Sequence, residues 1–81
     1  MRNSKRISET EVRRVIGQNV GRFRKDRTTL NQYDFSERCG FHRTYVGRVE
    51  RGEANSSIRS LVMIANELGV SLVDLISSPK S

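Results

Sequence analysis

Apolar residues along this chain recur at helical spacing. Val12, Val15, Ile16, Val20 and Phe23 step by three, one, four and three positions, which places them on one stripe of a helix. Ser8 and Glu11 form an S-x-x-E capping pattern with Glu9 in the first turn, so the spacing predicts helix 1 from about Glu9 to about Asp26. Arg13, Arg14, Arg22, Arg24 and Lys25 fall mostly on its other faces. After the polar turn Arg27-Thr28-Thr29, Asn31 is the expected N-cap of a short helix 2, which buries Phe35 and Cys39 one turn apart and stops at Gly40. Gly40-Phe41-His42 leaves room only for a tight turn before helix 3, expected from about Arg43 to about Arg51 with Val46 and Val49 inward and Gly52 at its end.

Glu53-Ala54-Asn55-Ser56 reads as a loop, and Ser57 as the cap of helix 4, whose stripe is Leu61, Ile64, Ala65 and Leu68, closed by Gly69. Ser71 and Asp74 cap a last short helix holding Leu72, Val73, Leu75 and Ile76. No strictly alternating segment is long enough to suggest a sheet. The expectation is an all-α, five-helix bundle in which two short helices joined by a three-residue turn make a helix-turn-helix. Residues 1–8 are expected to be a flexible basic N-terminal arm, residues 9–77 the folded domain and residues 78–81 a frayed C-terminus.

Composition narrows what such a bundle can do. With 81 residues, of which 35% are hydrophobic, the chain has room for one small core and no separate catalytic domain. The net charge of +6 is uneven: residues 1–52 hold 13 Lys and Arg against 6 Asp and Glu, whereas residues 53–81 hold 2 against 3. Twelve of the 15 basic residues are Arg, whose planar fork suits phosphates and guanine edges, so a polyanion is the first partner to consider. One Cys and one His make a metal site implausible, and no cofactor motif is present. Neither a membrane-spanning apolar run nor a signal peptide is expected, which implies a cytoplasmic protein. Cys39 lies on an apolar stripe and reads as a structural thiol. His42 with Glu50 or Glu53 lacks the phosphate loop, nucleophile elbow or paired carboxylates of an enzyme.

Helix 3 is the informative surface. With Val46 and Val49 inward, Arg43 and Gly47, and Thr44 and Arg48, pair one turn apart on an outward strip. Two guanidiniums on that strip suit guanine O6 and N7, and Thr44 suits a thymine methyl or a phosphate. Gly47 weakens a helix interior unless something must approach its backbone closely, as a major groove would. Gln32 at the start of helix 2, and Asn55, Ser56 and Ser57 before helix 4, supply donors where phosphates bind.

These residues carry a resemblance. Ile16-Gly17, Arg24, Gln32, Gly40, Arg43-Thr44-Tyr45-Val46, Glu50-Arg51-Gly52 and Leu61-x-x-Ile64-Ala65-x-x-Leu68-Gly69-Val70-Ser71-Leu72-x-x-Leu75 resemble the Cro/C1-type (XRE) helix-turn-helix domain, a lambda-repressor-like bundle. The run Cys39 to Gly52 is further similar to the controller proteins of restriction-modification systems, small single-domain dimers that regulate their own promoter and the endonuclease gene. The resemblance implies base contacts from Arg43, Thr44 and Arg48, and phosphate contacts from Gln32, Tyr45, Asn55 and Ser57. It also implies a largely buried ion pair between Arg24 and Glu50. His42 stands where a Ser or Thr cap is common, Ser56 where Pro is usual, and Ala54 where a basic residue is frequent.

Val62, Met63 and Val73 are apolar but off the main inward stripes, and Val70, Leu72 and Ile76 are close by in sequence. Such a surplus on a polar chain suggests a twofold contact through helices 4 and 5, forming a homodimer on duplex DNA. The competing expectation is an antitoxin-type or phage-repressor-type protein whose patch receives a protein partner, either a toxin or RNA polymerase.

Overall fold

The computed structural model describes residues 6–79, all helical or irregular. Five helices run in order as α1 (Glu9–Arg27), α2 (Gln32–Cys39), α3 (Tyr45–Glu50), α4 (Ile58–Leu68) and α5 (Leu72–Ile76). The basic arm expected over residues 1–8 falls mostly outside the described residues, as does the end of the C-terminal segment. No described helix is long and apolar enough to cross a membrane.

Local side-chain chemistry sets most of the helix ends. Ser8, Asn31, Ser57 and Ser71 each accept a hydrogen bond from the backbone N–H three residues on, satisfying one otherwise orphaned donor per helix. At α5 the box closes in both directions, because Asp74 also accepts the Ser71 N–H at 3.0 Å. Those bonds hold the Asp74 carboxyl below its ordinary range, the backbone N–H of Ser71 contributing most. The box is therefore intact above the ordinary carboxylate range and is lost as pH falls through the lowered value. Gly40 and Gly69 end α2 and α4 in the left-handed region, at φ 95° and 73°.

Helix α3 is shorter than its sequence pattern suggests: it begins at Tyr45 rather than about Arg43 and ends at Glu50. Thr44 occupies the N-cap with αR backbone and makes no side-chain cap bond. The His42 imidazole bonds the cap residue itself, its Nδ1 accepting the Thr44 N–H at 3.2 Å and lying 2.9 Å from Thr44 Oγ1. Arg43 and Thr44 thus stand in the turn ahead of the helix. Ser36, wholly buried on α2, accepts the Val46 N–H at 2.9 Å and ties the two short helices together.

The core gathers Val20 from α1, Phe35 and Cys39 from α2, Val46 and Val49 from α3, Leu61, Ile64, Ala65 and Leu68 from α4, and Leu75 from α5. The α4 stripe is buried as its spacing implies. The α1 stripe is not: Val12 is exposed, Val15 and Phe23 are half-buried, and the buried face instead runs through Ile16, Gly17, Asn19, Val20, Gly21 and Arg24. The reason lies in what α1 meets. A Cβ on Gly17 would stand 2.5 Å from the carbonyl oxygen of Val49 and 2.7 Å from that of Glu50, so the end of α3 rests directly on α1 backbone. Further along, Asn19 Nδ2 donates to the carbonyls of Leu75 at 2.8 Å and Ser77 at 2.7 Å, fastening the end of α5.

Two outcomes follow from this packing. Gly17→Ala should lose about 1–3 kcal/mol in urea denaturation despite its better helix propensity, because the added methyl meets backbone that must move. The exposed Gln18→Ala is the matched control and should unfold at the wild-type midpoint. Burial, followed by the Glu67 carboxylate, pushes the Cys39 thiol up to about 12, with Arg38 acting in the opposite sense. Iodoacetamide at pH 8 should therefore spare Cys39 in the folded protein and alkylate it fully in denaturant; equal labelling would show that the thiol is not held in the core.

Candidate nucleic-acid interface

The outward face of the helix-turn-helix is set by a polar network beneath it. Arg24 Nε donates to Glu50 Oε2 at 2.7 Å and its Nη2 to Oε1 at 3.1 Å, a two-pronged pair with both side chains about nine-tenths buried. The remaining guanidinium nitrogen, Nη1, donates to the Leu30 carbonyl at 3.0 Å. Gln32 Nε2 donates to Glu50 Oε1 at 2.8 Å. One carboxylate on α3 therefore holds α1, α2 and, through Arg24, the turn between them. Among the described residues no buried side-chain nitrogen or oxygen lacks a hydrogen-bond partner, the condition under which a buried ion pair is tolerated. The ion pair expected from the family resemblance is present in this arrangement.

Above the network, Arg43, Thr44 and Arg48 are all exposed, Arg48 on α3 and the other two in the turn before it. Gly47, expected beside them on the outward strip, is buried. Its missing side chain serves the protein: a Cβ there would lie 3.0 Å from Gln32 Oε1 and 3.3 Å from Arg51 Nη1. The close approach inferred for this glycine is therefore made by the Gln32 amide.

Three of the four residues expected at phosphates are already engaged within the chain. Gln32 is half-buried and bonded to Glu50, and Tyr45 Oη shares a 2.7 Å hydrogen bond with Ser56 Oγ. Ser57 Oγ caps α4 and donates to Ser60 Oγ at 3.1 Å, while Asn55 is exposed in the loop. Ala54, where a basic contact is frequent, is buried in the core. Of the six residues expected at a twofold contact, Val62, Val73 and Ile76 are exposed, whereas Met63, Val70 and Leu72 are half-buried. Val70 and Leu72 pack on the domain's own core, and the Met63 methyl lies beside Gly40.

Several features escaped the sequence pattern. Ile7, Val12, Ile58 and Ile76 line an open apolar groove of about 430 Å³, floored by Ile16, Val49 and Leu61. Tyr33, 56% exposed on the first turn of α2, lies under the Arg43 guanidinium, whose carbon is 5.9 Å from the ring centroid. Only the surplus of aliphatic residues hints at the groove in sequence, and nothing in local spacing pairs position 33 with position 43.

Comparison with known proteins agrees with this geometry. The Helix-turn-helix family model HTH_3 matches residues 21–75. The control protein C.BamHI of Bacillus amyloliquefaciens is 34% identical over 65 residues, covering 80% of this chain and 80% of its own. The crystal structure of the hypothetical transcription factor NHTF from Neisseria superposes with a TM-score of 0.81 at 29% identity, over 98% of this chain and 90% of that one. The restriction-modification controller protein C.AhdI from Aeromonas hydrophila superposes with a TM-score of 0.76 at 28% identity, over 85% of this chain and 99% of its own.

The network makes a stability prediction. Glu50→Ala leaves the Arg24 guanidinium buried without its anion and should cost about 3–5 kcal/mol in equilibrium unfolding. An Arg24→Met, Glu50→Leu double variant should lose much less than the single one, since both charges go together.

Proposed function

Because the chain belongs to the Cro/C1-type (XRE) helix-turn-helix family, we propose that it is a transcriptional regulator that binds duplex DNA as a homodimer at a pseudo-palindromic operator. The observation that carries this reading is the exposure of Arg43, Thr44 and Arg48 above a rigid Arg24–Glu50–Gln32 network. Arg43 and Arg48 offer N–H forks to guanine edges in the major groove, and Thr44 offers a methyl and a hydroxyl. Phosphate neutralisation by the Arg-rich first two thirds of the chain supplies most of the affinity. Gln32, Tyr45, Asn55 and Ser57 surround the reading residues as phosphate partners; Gln32 and Tyr45 do so with their geometry already fixed by intramolecular bonds.

Val62, Val73 and Ile76, extended by Ile58 at the groove, form the pairing surface, with Met63, Val70 and Leu72 behind it. Twofold pairing there delivers two recognition helices to successive major grooves about 10 bp apart. The similarity to C.BamHI and C.AhdI supports a restriction-modification controller as the specific role, acting in the cytoplasm.

Arg43→Ala or Arg48→Ala should lose about 1–3 kcal/mol at one cognate base pair of an operator selected from random duplexes, measured by fluorescence anisotropy at fixed salt. Full retained discrimination in either variant removes that residue from the assignment. Wild-type affinity should fall steeply with salt, and a flat response would point to a protein partner. In sedimentation, the wild type should run as a dimer and a Val73→Glu, Ile76→Glu variant as a folded monomer. A wild-type monomer would favour a toxin or polymerase as the occupant of the α4/α5 surface.

A further inference from the structure

Tyr33 contributes little to the core, yet it is a large aromatic on the first turn of α2, with more than half its surface in solvent. The guanidinium of Arg43 lies over its ring, 5.9 Å from carbon to centroid, within the range of a cation–π contact. Helix α3 starts at Tyr45, and Arg43 lies in the turn ahead of it, which the Tyr45 N–H closes on the His42 carbonyl at 3.0 Å. Among the described residues no carboxylate forms an ion pair with Arg43.

The kind of support matters chemically. A carboxylate would occupy the N–H edge of the guanidinium, and those bonds would have to break before the same edge met a base. An aromatic ring engages the π face and leaves the N–H edge open. We propose that Tyr33 is a positioning residue that holds the Arg43 guanidinium plane while leaving its fork free, and so sharpens discrimination at the base pair Arg43 reads. This rests on the assignment of Arg43 to base reading. The platform stands on α2 and the reading side chain in the turn leading into α3, so the bonds that fix α2 on α3, from Gln32 to Glu50 and from Val46 to Ser36, also bear on this pair.

The test compares wild type, Tyr33→Phe, Tyr33→Ala, Arg43→Ala and the Tyr33→Ala, Arg43→Ala double variant. Each is titrated against a selected operator and a set of operators carrying single base-pair changes. Loss of the ring should reduce discrimination at the Arg43 base pair by about two- to fivefold, the size of an exposed cation–π contact. Other positions, the salt slope and the thermal midpoint should be unchanged, and Tyr33→Phe should behave as wild type. In the Arg43→Ala background, Tyr33→Ala should cost nothing more. Three results overturn the positioning role: full discrimination in Tyr33→Ala, an equal loss with Arg43 already absent, or a salt slope reduced by about one, which marks a direct phosphate contact. An Arg43→Ala variant with unchanged discrimination overturns the base-reading assignment itself, and the platform with it.

Discussion

The structure depends on the charge of one carboxylate. Glu50 sits at the C-terminal end of a six-residue helix, where the helix dipole alone would disfavour an anion. It is sustained there by two N–H groups of Arg24 and one of Gln32, so its burial depends on α1 and α2 being in place. The dependence also runs the other way. Arg24 has no other buried anion within reach among the described ion pairs, and α3 is too short to persist without tertiary support. The first three helices are thus obliged to form together, with the orientation of the turn between α2 and α3 as part of the same event.

Glycine makes this geometry attainable. Gly17 lets the last carbonyls of α3 settle on the α1 backbone, and Gly21, one turn later, leaves 3.2 Å between a notional Cβ and Glu50 Oε1. Gly47 clears space for the Gln32 amide on the other side of α3. In a small domain with little apolar surface to spend, direct backbone contact and fully bonded polar groups replace part of what a larger core would supply.

Much of the fold was legible because its signals are local. Four N-caps, three left-handed glycines at positions 40, 52 and 69, and the α4 stripe each express chemistry within a few residues of one another. What could not be read in advance depends on distant partners. Val12 continues the apolar period of α1 but lines the open groove beside Ile7, Ile58 and Ile76, so periodicity overstated its burial. Asn19 looks like an ordinary surface residue until α5 carbonyls arrive from more than fifty positions away. The start of α3 lies later than the apolar pattern implies because the His42 imidazole takes the Thr44 N–H and holds residues 43–44 in a turn. At the interface the same division holds: outward exposure of Arg43, Thr44 and Arg48 followed from the inward valines, whereas the burial of Gly47 and the pairing of Tyr33 with Arg43 required tertiary knowledge.

The arrangement separates scaffold from vocabulary. Arg43, Thr44, Arg48 and Tyr33 have their side chains in solvent and contribute none of the bonds that join Arg24, Gln32 and Glu50. A lineage carrying this domain can therefore exchange the exposed set, one residue at a time, without passing through an unfolded intermediate. Partner and target can drift together while the architecture beneath them stands still.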